Sequence, residues 1–179
     1  MQLTYRDLLI RDAGEADCAQ LAAWWNDGSV MAHAGFPNGL GTSAEKIAHD
    51  LRTDSDTTRR RLIVACGGVR IGEMCSRNQG NGTAEIGIKI CAPEYQEKGL
   101  GRLLLSMLIG ALFEMGFERI VLDTDLENTR AQHVYELLGF EKLRINRDSW
   151  TDQLGRRRSS VDYALTPERF CDWRAPEQA

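Results

Sequence analysis

No two cysteines in this sequence are spaced as CxxC, and the five thiols (Cys18, Cys66, Cys75, Cys91, Cys171) form no cluster with its three histidines. An odd, scattered set argues against a disulfide framework and against a structural zinc site, so no metal is expected. Long apolar runs are also missing. The longest, Leu103 to Phe113, is eleven residues, far short of the roughly 20 needed to cross a bilayer, so no membrane partner is expected. The stretch from Met1 to Asp7 has no basic region leading into an apolar one, so it does not read as a signal peptide, and a cytoplasmic location is expected. Nor is there an excess of positive charge. A net charge of −4 disfavours nucleic acid as the main partner, because phosphate binding needs a basic surface, and it suits a cationic small substrate better. Apolar residues at 42% and charged residues at 27% are near globular averages, which excludes disorder and fibrous repeats and points to one folded domain over residues 1–179.

The hydrophobic periodicity that is present alternates between strand and helix. Leu8 to Arg11 reads as a first strand, followed by a helix with Cys18, Leu21, Ala22 and Trp25 on one face and a stop at Asn26-Asp27-Gly28. Gly35, Pro37, Asn38, Gly39 and Gly41 mark an irregular loop. Thr42-Ser43-Ala44-Glu45 reads as a capping box, with Thr42 as the cap, ahead of a second helix to about Leu51. Arg61 to Cys66 and Val69 to Cys75 flank Gly67-Gly68 as a hairpin, and a turn over Asn78 to Gly82 leads into Thr83 to Ile90, which alternates in period two. After Pro93 a helix runs from about Gly99 to Met115 with Gly116 as its cap. Arg119 to Thr124 is the next strand. Asn128 then caps a helix carrying Ala131, Val134, Tyr135 and Leu138 to a stop at Gly139. Segments from about Glu141 to Ser149 and Ser160 to Thr166 form a last hairpin around a polar turn. The strand-helix-strand succession demands one parallel pair in an otherwise antiparallel sheet. The expected fold is therefore an α/β (α+β) domain with a mixed, mostly antiparallel sheet of six or seven strands and helices on both faces.

The most informative segment is Gln96-Glu97-Lys98-Gly99-Leu100-Gly101-Arg102, between a strand and the strongest helix. Glycines there let the backbone approach a ligand, and the free N–H groups of the first helical turn form an anion site suited to a pyrophosphate. The bland alternative is that Gly99 and Gly101 only shape a turn. Two rival phosphate motifs are absent: no GKS or GKT triplet supplies a Walker loop, and no GxGxxG opens a strand-helix-strand unit.

Gln96 to Gly101 resembles the QxxGxG/A acetyl-CoA loop of the GNAT-type N-acetyltransferases. Ala84-Glu85-Ile86-Gly87-Ile88 resembles their fourth strand, and Asn128 to Phe140 is similar to their N-x-x-A-x-x-x-Y-x-x-x-G-F stretch. Trp24-Trp25-Asn26-Asp27 and the terminal hairpin resemble the branch holding ribosomal-protein-alanine and spermidine N-acetyltransferases. The likeness runs in order along nearly the whole chain. It implies acetyl-CoA as co-substrate and direct transfer of its acetyl group to an amine, either a small molecule or a protein N-terminus. Backbone groups around Ile88 and Ile90 would hold the pantetheine arm where two parallel strands splay. The N–H groups of Gln96, Glu97, Lys98, Gly99, Leu100, Gly101 and Arg102 would hold the pyrophosphate, and Asn128 would contact the arm.

Acyl transfer needs a neutral amine, yet a free alkylamine titrates near about 10, so a base must take its proton. Glu85, beside the expected cofactor arm, is the candidate, and Glu73 on the neighbouring strand competes with it. Tyr135 would protonate the departing thiolate. Water-exposed carboxylate and core aromatic are the respective bland readings. Trp24 and Trp25, adjacent on a helix, cannot both face the core, so one is expected to wall an acceptor pocket while Asp27 attracts a cation. Arg59-Arg60-Arg61 and Arg156-Arg157-Arg158 read as solvated surface charge. Cys91 lacks a paired histidine and is disfavoured as a nucleophile. The amine itself is not identified by the sequence, a homodimer is left open, and a non-catalytic acyl-CoA sensor is the competing class.

Overall fold

The computed structural model describes residues 1–174, and the last five residues of the expected domain lie outside it. One sheet organises the chain. Its strands are β1 (Gln2–Tyr5), β2 (Leu8–Asp12), β3 (Arg59–Cys66), β4 (Val69–Gly80), β5 (Thr83–Ile90), β6 (Arg119–Asp125), β7 (Glu141–Thr151) and β8 (Arg157–Leu165), in the spatial order β1-β2-β3-β4-β5-β6-β8-β7. The sheet thus has eight strands, where the sequence pattern gave six or seven. The additional one is β1. Only four residues long, it folds back on β2 through Arg6 at φ 54, a left-handed position without the glycine or asparagine that normally signals such a turn.

Every neighbouring pair is antiparallel except β5 and β6, which pair only over Thr83↔Arg119, Ala84↔Ile120 and Glu85↔Val121. Beyond Glu85 the two strands part. The helices are α1 (Cys18–Asn26), α2 (Gly28–Met31), α3 (Ala44–Leu51), α4 (Leu100–Glu114) and α5 (Thr129–Leu137). The stripe Leu104, Leu105, Leu108 and Leu112 seats α4 on one face of the sheet against Leu62, Val64, Met74, Ala84, Ile86 and Ile120, and α5 adds Tyr135 with the following Leu138. On the opposite face Leu21, Ala22 and Trp24 of α1 pack with Ile47 of α3 around Ile63. Helices on both faces follow from the period-two alternation of the strands, which presents apolar side chains both ways.

Helix boundaries sit close to expectation, with Gly116 and Gly139 left-handed at φ 95 and 94 after α4 and α5. The cap of α3 differs. Ser43, not Thr42, accepts the Lys46 N–H at 3.2 Å. Thr42 is instead bracketed by Asn26, whose Oδ1 accepts its N–H at 2.9 Å and whose Nδ2 donates to its carbonyl at 2.8 Å. The loop expected after α1 opens with the short α2, capped by Asp27, whose carboxylate accepts the Ser29 N–H at 2.8 Å. Buried Asp17 secures the entry to α1: Arg11 donates to its two oxygens at 2.6 and 2.8 Å and Arg70 lies 2.9 Å away. The Arg11 hydrogen bonds hold this carboxyl below its ordinary value. No helix among the described residues is long and apolar enough to cross a membrane.

Candidate active site

The parting of β5 and β6 opens a cleft of about 1140 Å³ that runs from the N-terminus of α4 past α5 to the loop after α1. The main chain makes one end of it. Gly82 at the start of β5 accepts N–H groups of Glu118 and Arg119 at 2.8 and 3.2 Å, so in period two Ile86, Ile88 and Ile90 turn their backbone polar groups toward β6. Past Glu85 no strand meets them. The Ile90 carbonyl accepts the Gln96 side-chain amide at 2.8 Å, which fastens the Gln96–Arg102 loop to the end of β5. Among the described residues no strand pairs with Ile88 on this side, so its backbone groups are open to an extended ligand adding on as a strand would.

The loop then reaches α4 through two left-handed residues, Glu97 at φ 59 and Gly99 at φ 74. The turn aims the first N–H groups of α4 into the cleft. Gly99 and Gly101 differ in what holds them. A Cβ on Gly99 would be conformationally strained and lie 3.1 Å from the Arg102 guanidinium, whereas a Cβ on Gly101 would meet no protein atom within 4 Å. A glycine inside a helix costs up to about 1 kcal/mol relative to alanine. At Gly101 that cost has no packing reason among the described residues. Arg102, stacked 4.5 Å over the Trp173 ring, and Arg130 on α5, 3.1 Å from Glu97, flank the mouth with positive charge. The cleft therefore suits a long, phosphate-bearing molecule with an extended amide arm.

Of the residues marked from sequence, Glu85, Ile88, Ile90, Gln96, Glu97, Gly99, Leu100, Gly101, Arg102, Asn128 and Tyr135 all line this cleft. Lys98 does not. It faces a separate hollow of about 760 Å³ shared with Arg6, Arg102 and Trp173, its ammonium 5.6 Å from the Tyr95 ring. Asn128 uses its side-chain oxygen to cap α5, accepting the Ala131 N–H at 3.2 Å, and no side-chain acceptor among the described residues takes its amide nitrogen.

Tyr135 is buried between Phe140 and Tyr163, with ring centroids 5.8 and 5.7 Å away in edge contacts. Its hydroxyl makes no hydrogen bond among the described residues. Burial, with a smaller contribution from the Asp123 charge, pushes its pKa up to about 12, so the phenol keeps its proton at any physiological pH. Glu85 is engaged already: Arg77 Nη1 donates to it at 2.9 Å, and the Gln79 amide donates to its other oxygen. Glu73 is buried at the foot of α1, its Oε1 accepting from Trp25 Nε1 at 2.8 Å and Lys89 Nζ at 3.1 Å. Trp24 is buried in the core while Trp25 is only partly covered, the division expected of adjacent helix positions. Burial drives the Cys91 thiol up to about 12, leaving it protonated and a poor nucleophile.

Asp123, near the end of β6, is the carboxylate that the sequence reading passed over. It lines the cleft opposite Glu85 and accepts no side-chain hydrogen bond among the described residues. Desolvation by the cleft walls, then the charges of Glu85 and Asp162, raise it above the ordinary carboxylate value. The available signal was two acids, Asp123 and Asp125, at the carboxyl end of the one strand forced to be parallel, where ligands of α/β sheets gather. Asp125 is spent on structure, bound by Arg158 at 2.8 Å. Trp150 on β7 was also missed. Its ring lies on the backbone of Gly35, where a Cβ would come within 2.4 Å of it. Gln153 ties the same loop down, its backbone N–H donating to the Gly35 carbonyl at 2.8 Å, its side-chain oxygen accepting the Asn38 N–H at 2.8 Å and its amide donating to the Gly39 carbonyl at 3.0 Å.

The pattern of the Acetyltransferase (GNAT) family matches residues 3–140. The chain belongs to this family. Among curated relatives of this GNAT chain, the spermidine N(1)-acetyltransferase of Escherichia coli is 35% identical over 88 residues, 48% of this chain and 47% of that one. The ribosomal-protein-alanine N-acetyltransferase of the same organism is 39% identical over 64 residues, 36% of this chain and 43% of that one. The matches thus span about half the length of either relative. In fold the GNAT chain is similar to the spermidine N-acetyltransferase from Vibrio cholerae, solved in complex with CoA and spermine. That likeness has a TM-score of 0.80 and 23% identity, and covers 91% of this chain and 97% of that one. A ribosomal-protein-alanine N-acetyltransferase from Brucella melitensis gives a TM-score of 0.75 at 20% identity, covering 88% and 98%.

Proposed function

We propose that this GNAT protein is an acetyl-CoA-dependent N-acetyltransferase, a single domain acting in the cytoplasm, as a monomer or a homodimer, on an amine. One observation carries the reading. The splay of β5 from β6 brings the α4 N-terminus, the free backbone of Ile88, the Tyr135 hydroxyl and two carboxylates into a single cleft. Acetyl-CoA is the co-substrate that fits: its pyrophosphate matches the N–H groups of Gly99 to Arg102, its pantetheine amides match Ile88, and its thioester then falls in the splay near Tyr135. The E. coli and V. cholerae relatives are spermidine acetyltransferases by name, in keeping with an amine acceptor here.

In this reading the amine nitrogen attacks the thioester carbonyl carbon and the carbon–sulfur bond breaks. The proton lost by nitrogen goes to a carboxylate, and Tyr135 gives its proton to the leaving sulfur, leaving an amide and the CoA thiol. Asp123 suits the first role better than Glu85. Among the described residues it has no ion-pair or side-chain hydrogen-bond partner, and its affinity for protons is raised above the ordinary carboxylate value, the direction that favours a general base, whereas Arg77 and Gln79 hold Glu85. Glu85 remains the second candidate, and Glu73, committed to Trp25 and Lys89, the weakest. Release of CoA thiol from acetyl-CoA with a panel of amines tests the proposal, and silence with every amine overturns it.

A further inference from the structure

The acceptor face of the sheet carries more arginine than its structure uses. Arg59 on β3 and Arg77 on β4 stand directly opposite each other, an arrangement that destabilises a sheet when the charges are alike. Their neighbours are neutralised. Arg60 pairs with Asp12 and Asp56, and Arg61 with Asp54. Among the described residues no carboxylate lies within 4.0 Å of the Arg59 guanidinium, and burial together with the Arg77 and Arg61 charges depresses its affinity for its proton. Arg77 lines the cleft and spends Nη1 on Glu85 at 2.9 Å. Its Nε is sealed from water and has no hydrogen-bond partner.

Nη2, the guanidinium nitrogen that is neither sealed nor bonded to Glu85, is left as a charge-assisted donor for a carboxylate oxygen. Glu85 is its immediate neighbour across the strand pair, and Asp123 stands beyond Glu85 on the same face. An acceptor bound here would meet a positive reader and a negative proton acceptor side by side. A polyamine would bring a further positive charge against Arg77 in the cleft, with Arg59 on the next strand behind it.

We propose that the acceptor is a small amine bearing a carboxylate, of the amino-acid type, with Arg77 binding the carboxylate, Arg59 reinforcing it, and the amine directed toward Asp123. This rests on the acetyl-transfer reading above and narrows it. The reaction is unchanged: nitrogen gains the acetyl group, sulfur gains the proton, and the carboxylate takes no part beyond binding.

The test uses the whole protein with acetyl-CoA, reading thiol release for the twenty L-amino acids, their primary amides and spermidine. At least one amino acid should exceed both its own amide and spermidine by tenfold or more in kcat/KM. The amide has the less basic amine, so chemical reactivity alone would favour it and works against the expected result. Arg77→Gln should bring the acid-to-amide ratio close to one by raising KM for the acid while leaving KM for the amide in place. Arg59→Gln should lower the ratio by a smaller factor, and it carries the test if Arg77→Gln does not fold. Release with spermidine or amides in preference to the acids overturns this inference and leaves the transferase reading standing. An acid-to-amide ratio untouched by both substitutions overturns it as well, and silence with all amines overturns both.

Discussion

On one side of the β5–β6 splay the cleft is lined by main chain, and on the other by charged side chains. Toward α4 the groups proposed to bind the co-substrate are N–H donors of Gly99 to Arg102 and the backbone of Ile88, fixed by a left-handed turn and the Gln96 bond to Ile90. Toward α1 they are Arg77 and Glu85, joined by an ion pair, and Asp123, which accepts no side-chain hydrogen bond among the described residues. Backbone geometry changes little when side chains change, so the first wall can be common to proteins that acetylate different amines. Side chains are replaced one at a time, so the second wall is where specificity is set.

The sharpest way to separate the walls is to remove proton transfer without touching binding. Tyr135→Phe and Asp123→Asn are each expected to lower kcat by about 10²–10³-fold, with the CoA dissociation constant, measured by calorimetry, within twofold of the original. Glu85→Gln should cost less than tenfold, because Arg77 and Gln79 already occupy that carboxylate. A larger loss in Glu85→Gln than in Asp123→Asn would reverse their roles.

The pH profile comes next. A general base must be ionised, and Asp123 is raised above the ordinary carboxylate value, so kcat should climb as pH rises through that raised value. Asp123→Asn should remove this limb. Tyr135 keeps its proton up to about 12, so no falling limb from loss of the acid should appear below pH about 10. A fall between pH 8 and 9 that vanishes in Tyr135→Phe would contradict the environment assigned to the phenol.

The two loop glycines test the main-chain wall more gently. Gly99→Ala should destabilise the free protein by about 1–2 kcal/mol in a denaturant titration, since its φ of 74 is left-handed and disfavours a side chain. Gly101→Ala should do the opposite, stabilising the free protein by up to about 1 kcal/mol while weakening CoA several-fold, because its Cβ enters space that protein does not fill. Destabilisation by Gly101→Ala, or unchanged CoA affinity, would mean that this glycine serves the fold and not a ligand.

The same contrast governs how much the sequence revealed. The main-chain wall was legible, because left-handed turns and helix starts demand glycines at fixed offsets: Gly99, Gly101 and Gly139 are visible as residue types, and Asn128 marks its cap. Most strands and the helices α1, α4 and α5 followed from periodicity. The eighth strand did not, since β1 is short and turns at Arg6 without a turn residue. The side-chain wall was only partly legible. Glu85 lies within a recognisable strand, but its capture by Arg77 depends on cross-strand register. The importance of Asp123 depends on where β6 leaves β5, which no local pattern encodes. That Arg59 has no carboxylate partner among the described residues is likewise a property of packing, invisible in a run of three arginines that reads as surface charge.

The central claim is met most directly by incubating the protein with acetyl-CoA and a broad amine panel and measuring free CoA thiol alongside acetylated amine. The account predicts equal amounts of the two for at least one amine, and loss of both in Tyr135→Phe and Asp123→Asn that still bind CoA. Tight binding of acetyl-CoA with no thiol released by any amine would contradict it and make the cleft that of an acyl-CoA sensor.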